Sequence, residues 1–305
     1  MLRGSRPTSC AEAPPHPSDI EAPGSGGLFI SRAGPAPRGS PLAKRPRKGR
    51  SRGVRSARGA ACVLVSGGLD SAVLVRDALR SFRSVQPLYV RAGLRWEPTE
   101  VRALRSYLRS LRSARLRPLA FVDVPMTDLY GDHWSTSGRH PPGYHAGDAS
   151  VYLPGRNIAL FSKAATFCAL RRIPVLISGI LSANPFPDGS VAFLRAMERA
   201  LRAGLGAPLT ISTPYRSLKK HQVIRRGRGL RLERTFSCIN PGRGGRHCGD
   251  CCKCAERVEA FRRAGIRDPT FYAGGPGALE APRSVRPGSA LKPGSRRRRT
   301  TRAAP

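Results

Sequence analysis

Val63-Leu64-Val65-Ser66-Gly67-Gly68-Leu69-Asp70-Ser71 is the stretch whose reading decides the fold. Three aliphatic residues make a short buried strand. A Ser-Gly-Gly-x-Asp-Ser turn follows, and then Ala72, Val75, Ala78, Leu79 and Phe82 recur at helical spacing. Glycines between strand and helix let the backbone approach a ligand closely. The first turn of the helix offers unpaired N–H groups and the positive end of a dipole, which suit an anion. Ser66 and Ser71 add hydroxyl donors, and Asp70 can hold a Mg²⁺ that bridges phosphate oxygens. The turn is therefore built for a pyrophosphate carried with magnesium.

This stretch resembles the pyrophosphate loop of N-type ATP pyrophosphatases, which cleave ATP between its α- and β-phosphates to adenylate an acid or amide. It is not a Walker loop, because no Gly-Lys-Ser/Thr follows at the required spacing.

Working outward, Val85–Val90 and Leu119–Val124 are candidate strands. The segment between them, 97–115, sets Val101, Leu104, Leu108 and Leu111 on one helical stripe with arginines opposite. Further strands are expected at 175–180 and 210–215, with helices before and after the first of these. This alternation predicts an α/β fold, a doubly wound, Rossmann-like parallel sheet with helices on both faces. Residues 127–150 are polar and hold His133, His140 and His145, whose spacing matches no familiar ligand pattern; a substrate-covering loop is expected there. Pro154-Gly155 turns into an apolar helix that begins with Arg156 and Asn157, near the ligand-binding end of such a sheet. Arg156 offers a planar fork for carboxylate or phosphate, and Asn157 both a donor and an acceptor, or a helix cap. Lys219 and Lys220 open a later helix, within reach of a phosphate or on a solvated face.

Of eight cysteines, five lie between 238 and 254. Cys248, Cys251 and Cys254 form Cys-x₂-Cys-x₂-Cys, with Cys238 ten residues upstream. Four thiolates so spaced suit tetrahedral Zn²⁺; an iron–sulfur cluster, or disulfides with no metal, are the other readings. Cys252 is the odd one, and His247 ranks below Cys238 as a ligand. A zinc here would be structural, since four protein ligands leave no open position for water.

Four stretches now coincide in order: Ser66–Ser71, Pro154-Gly155-Arg156-Asn157, Thr213-Pro214 through Lys220, and Thr235-Phe236-Ser237-Cys238 with the cysteine run ending at Arg257. Together, over roughly 60–273, they resemble the 7-cyano-7-deazaguanine synthase family. The resemblance implies ATP-dependent adenylation of 7-carboxy-7-deazaguanine, displacement of AMP by ammonia to give an amide, and a second adenylation with loss of AMP to give the nitrile. It also implies an adenine nucleotide alpha hydrolase-like fold with a small C-terminal zinc-binding lobe. By the same resemblance, Val65, Ser66, Gly67, Gly68, Leu69, Asp70 and Ser71 line the ATP site and Mg²⁺ accompanies the nucleotide. Arg156, Asn157 and Asp188 lie near the acid. Asp70, Lys220 and Arg156 carry the chemistry, and Cys238, Cys248, Cys251 and Cys254 hold the zinc.

The chain departs from the family pattern at three places. Leu94-Arg95-Trp96 stands for Gln-Arg-His, Gly189-Ser190-Val191 lacks an expected arginine, and Gln222 replaces a common Glu. These bear on the identity of the acid. The alternative is a divergent enzyme of the same loop type that amidates or thiolates another substrate, such as tRNA, another nucleic acid or a protein; a zinc-stabilised nucleic-acid-binding module with a vestigial ATP site is a third reading.

Hydrophobic residues make up 40% of the chain and charged ones 24%, enough for a core, but the net charge is +35. Residues 1–58 hold 12 basic and 3 acidic side chains, and 59–273 remain basic by 19 charges. Such a field attracts polyanions; an arginine-rich codon bias is the competing cause. The expected organisation is a basic Pro/Gly/Arg-rich tail over 1–58, an ATP-binding domain over 59–230, a zinc lobe over 231–273 and a second basic tail over 274–305. Lys44–Arg52 reads first as a solvated tail or as translated sequence upstream of the true start codon, with an RNA-binding arm as the alternative. No apolar run reaches the roughly 20 residues of a membrane helix, and the first thirty residues lack a secretory core, so a cytoplasmic protein is expected, with a homodimer as one candidate assembly.

Overall fold

The computed structural model describes residues 58–276. The arm around Lys44–Arg52 and the residues beyond 276 lie outside that range. Five strands form one parallel sheet: β1 (Arg58–Leu64), β2 (Phe82–Arg91), β3 (Ala120–Asp123), β4 (Val175–Ile177) and β5 (Thr210–Ser212). Their order is β3-β2-β1-β4-β5. The helices are α1 (Leu69–Ser81), α2 (Glu97–Ser110), α3 (Thr127–Tyr130), α4 (Trp134–Ser137), α5 (Arg156–Leu170), α6 (Val191–Leu205), α7 (Lys220–Arg226) and α8 (Cys252–Ala264). Among the described residues, no helix is long and apolar enough to cross a membrane.

The period of two along β1 builds both cores. Ala61, Val63 and Val65 face α1, α2, α7 and α8, where they pack with Leu74, Leu104, Ile224 and Phe261. Cys62 faces the other way, onto Phe161, Ala164 and Cys168 of α5 and Leu194 of α6. Helices thus cover both faces, as the doubly wound reading predicts. Each fully buried Leu, Val or Phe contributes about 1.5–3 kcal/mol. A third cluster joins Leu94, Trp96, Met126, Phe236, Cys238, Cys251 and Cys254 beside the sheet.

The pattern 97–115 predicts a longer helix than α2. The helix stops at Ser110 because Arg112 adopts φ 38°, a left-handed conformation that ends the ladder. Leu111 and Leu116 still pack on the same core. Residues 127–150 are not one irregular loop: they contain α3 and α4, and His133 caps α4 by accepting a hydrogen bond from Ser135 N.

Candidate functional site

β1 and β4 are neighbours whose following segments diverge to opposite faces of the sheet, which opens a crevice at their carboxyl ends. A cavity of about 650 Å³ lies there. Ser66, Asp70 and Ser71 line it from the turn after β1, Gly179 and Ile180 from the segment after β4, Arg156 and Asn157 from the start of α5, and Lys220 from the start of α7.

The turn braces itself. Ser66 Oγ accepts from Gly68 N at 3.3 Å, and Ser71 Oγ donates to Gly68 O at 3.1 Å. Gly67 has φ +81°, and a Cβ there would meet the Glu100 carbonyl oxygen at 2.8 Å, so no other residue fits. Gly67 O in turn accepts from Phe236 N at 2.9 Å, tying the turn to the segment that leads into the cysteines. Gly68 is the N-cap of α1, so the first turn of that helix, with Asp70 in it, faces the cavity.

Asp70 Oδ2 lies 3.5 Å from Lys220 Nζ, while its Oδ1 is buried with no hydrogen-bond partner. Burial pushes this carboxyl up, against the pull of Lys220. An orphaned carboxylate oxygen in a cavity wall is a hard oxygen donor of the kind that fits a divalent cation. Lys220 is desolvated, which disfavours its charge, yet Asp70 and Glu256 push its ammonium above the usual value.

Arg156 also has a buried, unpartnered Nε in the cavity wall. Asn157 and Asp188 are engaged with each other. Asp188 Oδ2 accepts from Asn157 N at 3.2 Å, and Oδ1 from Asn157 Nδ2 at 3.1 Å. Asp188 is buried and caps the start of α5, whereas Asn157 reaches the cavity.

Sequence reasoning missed Tyr89, Glu100, Lys253 and Glu256, which also line the cavity. Glu100 sits in the first turn of α2, where an acid reads as a partner of the helix dipole. It is instead buried; desolvation raises its carboxyl to about 8, while Tyr89 and Arg156 work the other way. Phe186, a further wall residue, stacks on Tyr152 with ring centroids 4.9 Å apart.

The departures at 94–96, 189–190 and 222 fall away from the cavity or serve its frame. Leu94 and Trp96 are buried in the third cluster, with Trp96 stacked on Trp134 at 5.8 Å. A side chain at Gly189 would meet Asn184 Oδ1 at 2.6 Å, and Ser190 caps α6 by accepting from Phe193 N. Gln222 Oε1 accepts from Lys219 N at 2.8 Å and so caps α7, a bond that a Glu would also make.

The sulfurs of Cys238, Cys248, Cys251 and Cys254 all lie within 4.8 Å of one another. Four of the separations are 3.4, 3.8, 3.6 and 3.9 Å. Four thiolates about 2.3 Å from one tetrahedral ion stand about 3.8 Å apart, so the set fits a single metal. Backbone N–H groups of Asn240, Cys248, Gly249 and Asp250 point at these sulfurs from 3.3–3.4 Å, as an outer shell that orients thiolates. His247 stands beside the set, its Nε2 accepting from Ser237 N at 3.1 Å. Arg257, on α8, is fully buried and ties the helix down through Thr235, Ser237, Leu232 O and Thr270.

The model of the family described as queuosine biosynthesis protein QueC matches residues 60–265. A 7-cyano-7-deazaguanine synthase of Xanthomonas campestris pv. campestris is 32% identical over 222 residues, 70% of this chain and 97% of the relative. One from Methanoculleus marisnigri is 30% identical over 224 residues, 70% of this chain and 98% of the relative. Among solved structures, the U34-tRNA thiolase NcsA from Methanococcus maripaludis, with its 4Fe-4S cluster, is similar with a TM-score of 0.40 at 12% identity, covering 73% of this chain and 79% of that one.

Proposed function

The chain belongs to the family of queuosine biosynthesis protein QueC, and from that premise we propose that it is an ATP-dependent ligase that converts 7-carboxy-7-deazaguanine and ammonia to 7-cyano-7-deazaguanine, preQ0. The observation that carries this reading is the pairing, in one cavity, of a pyrophosphate turn at Ser66–Ser71 with Arg156, whose buried Nε has no partner. A guanidinium so placed is a fork for the carboxylate that is to be activated. The turn's amides and Lys220 hold the triphosphate so that the carboxylate oxygen meets its α-phosphorus.

Attack forms the acyl-adenylate and releases pyrophosphate. Ammonia then displaces AMP and gives the amide. The amide oxygen attacks the α-phosphorus of a second ATP and releases a second pyrophosphate, and loss of AMP and both nitrogen protons from the adenylated amide leaves the nitrile. The protein's share is positioning and charge: Lys220 neutralises the departing pyrophosphate, and the hydroxyls of Ser66 and Ser71 add donors. Asp70 is the residue that would hold Mg²⁺, which when bound supplies further neutralisation of phosphate charge. Phe186, stacked on Tyr152, offers an aromatic face in the same cavity wall that suits a planar heterocycle.

Zn²⁺ is the ion we assign to Cys238, Cys248, Cys251 and Cys254. A cubane cluster binds one thiolate per iron and keeps its sulfurs more than about 6 Å apart, whereas these converge on one point. The site is closed and structural, clamping the segment before Cys238 to α8.

A mass-spectrometric assay with 7-carboxy-7-deazaguanine, ATP and ammonium tests the function. Nitrile with AMP and pyrophosphate is the expected product set. ATP cleavage with another acid, and none with this one, would overturn it.

A further inference from the structure

Helix α8 begins inside the cysteine set and ends against the sheet core, and it carries Lys253 and Glu256 into the cavity wall one turn apart. Glu256 is the centre of an ion-pair chain. Its Oε1 lies 2.6 Å from Lys220 Nζ and its Oε2 lies 3.0 Å from Lys253 Nζ; Lys220 continues to Asp70 Oδ2 at 3.5 Å. All four side chains keep between 20% and 36% of their surface exposed, so a ligand can reach them.

From this geometry we infer that Lys253 is a second phosphate-binding lysine of the nucleotide site, and that Glu256 holds it and Lys220 in position until the ligand's phosphates replace the carboxylate. The inference rests on the ATP reading above and names a further residue for the same site.

Three physical points support it. First, two ammonium groups that share one carboxylate are spaced by its two oxygens, much as they would be by a phosphate or pyrophosphate. Second, a carboxylate at the phosphate end of an anion site works against the ligand's charge, so its place there calls for another role. Holding two cations that would otherwise repel each other is such a role. Third, Lys253 lies between Cys252 and Cys254, and Cys254 belongs to the thiolate set. The position of its backbone is therefore set by the cluster rather than by a mobile loop.

A brace and a phosphate site differ in sign. If the chain of charges merely glued α8 to α7, removing either Lys253 or Glu256 would harm the site alike. If Glu256 occupies the place of a phosphate, removing it strengthens anion binding while removing Lys253 weakens it.

The test is calorimetric binding of Mg²⁺ with α,β-methylene-ATP, and of inorganic pyrophosphate, to the full chain, with metal content and melting temperature measured on the same samples. Lys253→Met is expected to weaken both ligands about 10- to 100-fold, the usual worth of one charge-assisted contact. Glu256→Gln is expected to bind pyrophosphate more tightly than the wild type, with metal content unchanged in both variants. Unchanged affinity in Lys253→Met would overturn the inference while leaving the ATP reading intact. Equal weakening in both variants, or loss of metal in Lys253→Met, would show a brace and overturn it too. A wild-type chain that binds neither ligand would instead remove the ATP reading, and this inference with it.

Discussion

The Tyr89 hydroxyl donates a 2.6 Å hydrogen bond to Glu100 Oε2 beneath the turn after β1, in the wall of the cavity that also contains Arg156. The pair couples β2 to α2, and the backbone of the same glutamate packs against Gly67. A buried carboxyl raised to about 8 holds its proton through most of the neutral range.

That shift makes stability depend on pH. Glu100 has a higher pKa folded than unfolded, so the folded chain binds the extra proton between the two values. The contribution is fully present below about 4.5, the unfolded value, and is lost as pH rises toward about 8. Glu100→Gln keeps an acceptor for Tyr89 and cannot ionise. It is expected to melt several degrees above the wild type at pH 8.5 and close to it at pH 4.5, in thermal scans followed by circular dichroism. A constant difference across that range would remove Glu100 as the titrating group.

Asp70→Asn tests the cation site. The orphaned Oδ1 has nothing to lose inside the protein, and Lys220 keeps its 2.6 Å bond to Glu256, so the fold should survive. AMP formation should fall by about a thousandfold, the scale of losing a group that acts on transition-state charge. AMP release and melting temperature measured together check both halves; wild-type turnover would sink the role given to Asp70.

How much of this was legible can be judged residue by residue. The β1 run and the turn after it announced the parallel sheet and the turn that lines the cavity, because strand period, glycines and hydroxyls are local signals. The cysteine spacing was equally local. Glu100 was not legible: in sequence it is an acid in the first turn of a helix, and only packing places it beneath Gly67. Glu256 was not legible for the same reason, since Lys220, which it binds, is 36 residues away in the chain, and Lys253 joins that chain of charges only through Glu256. Asp188 was singled out as a substrate neighbour, but its carboxylate is bound to Asn157, a long-range cap that no pattern reveals.

Metal loss should unfold the region around Cys238 before the sheet. Cys251→Ser removes one corner of a set whose sulfurs converge, and leaves the other three with outer-shell N–H donors but an incomplete tetrahedron. Zinc measured by plasma mass spectrometry is expected at one per wild-type chain and well below that in the variant, with a lower melting temperature. An unchanged zinc-to-protein ratio would exclude Cys251 as a ligand, and acid-labile sulfide in the wild type would replace zinc by a cluster.

Trp96 decides whether the departure at 94–96 touches specificity. It is 7% exposed, stacks on Trp134 and packs in the cluster that holds Cys238 and Cys254, and it is not among the residues that line the cavity. Glu97 next to it fixes the loop after β2 by accepting from Ala92 N at 2.7 Å. Trp96→Ala is therefore expected to cost about 3–5 kcal/mol of stability, as emptied aromatic sites do. At a temperature where the variant remains folded, its KM for the acid should stay within about twofold of the wild type, because no contact with the cavity is lost. Denaturant unfolding gives the first quantity and initial rates the second. A large rise in KM with little change in stability would mean that the indole reaches the substrate after all, and that the replacement of Gln-Arg-His by Leu94-Arg95-Trp96 reshaped the acid site itself.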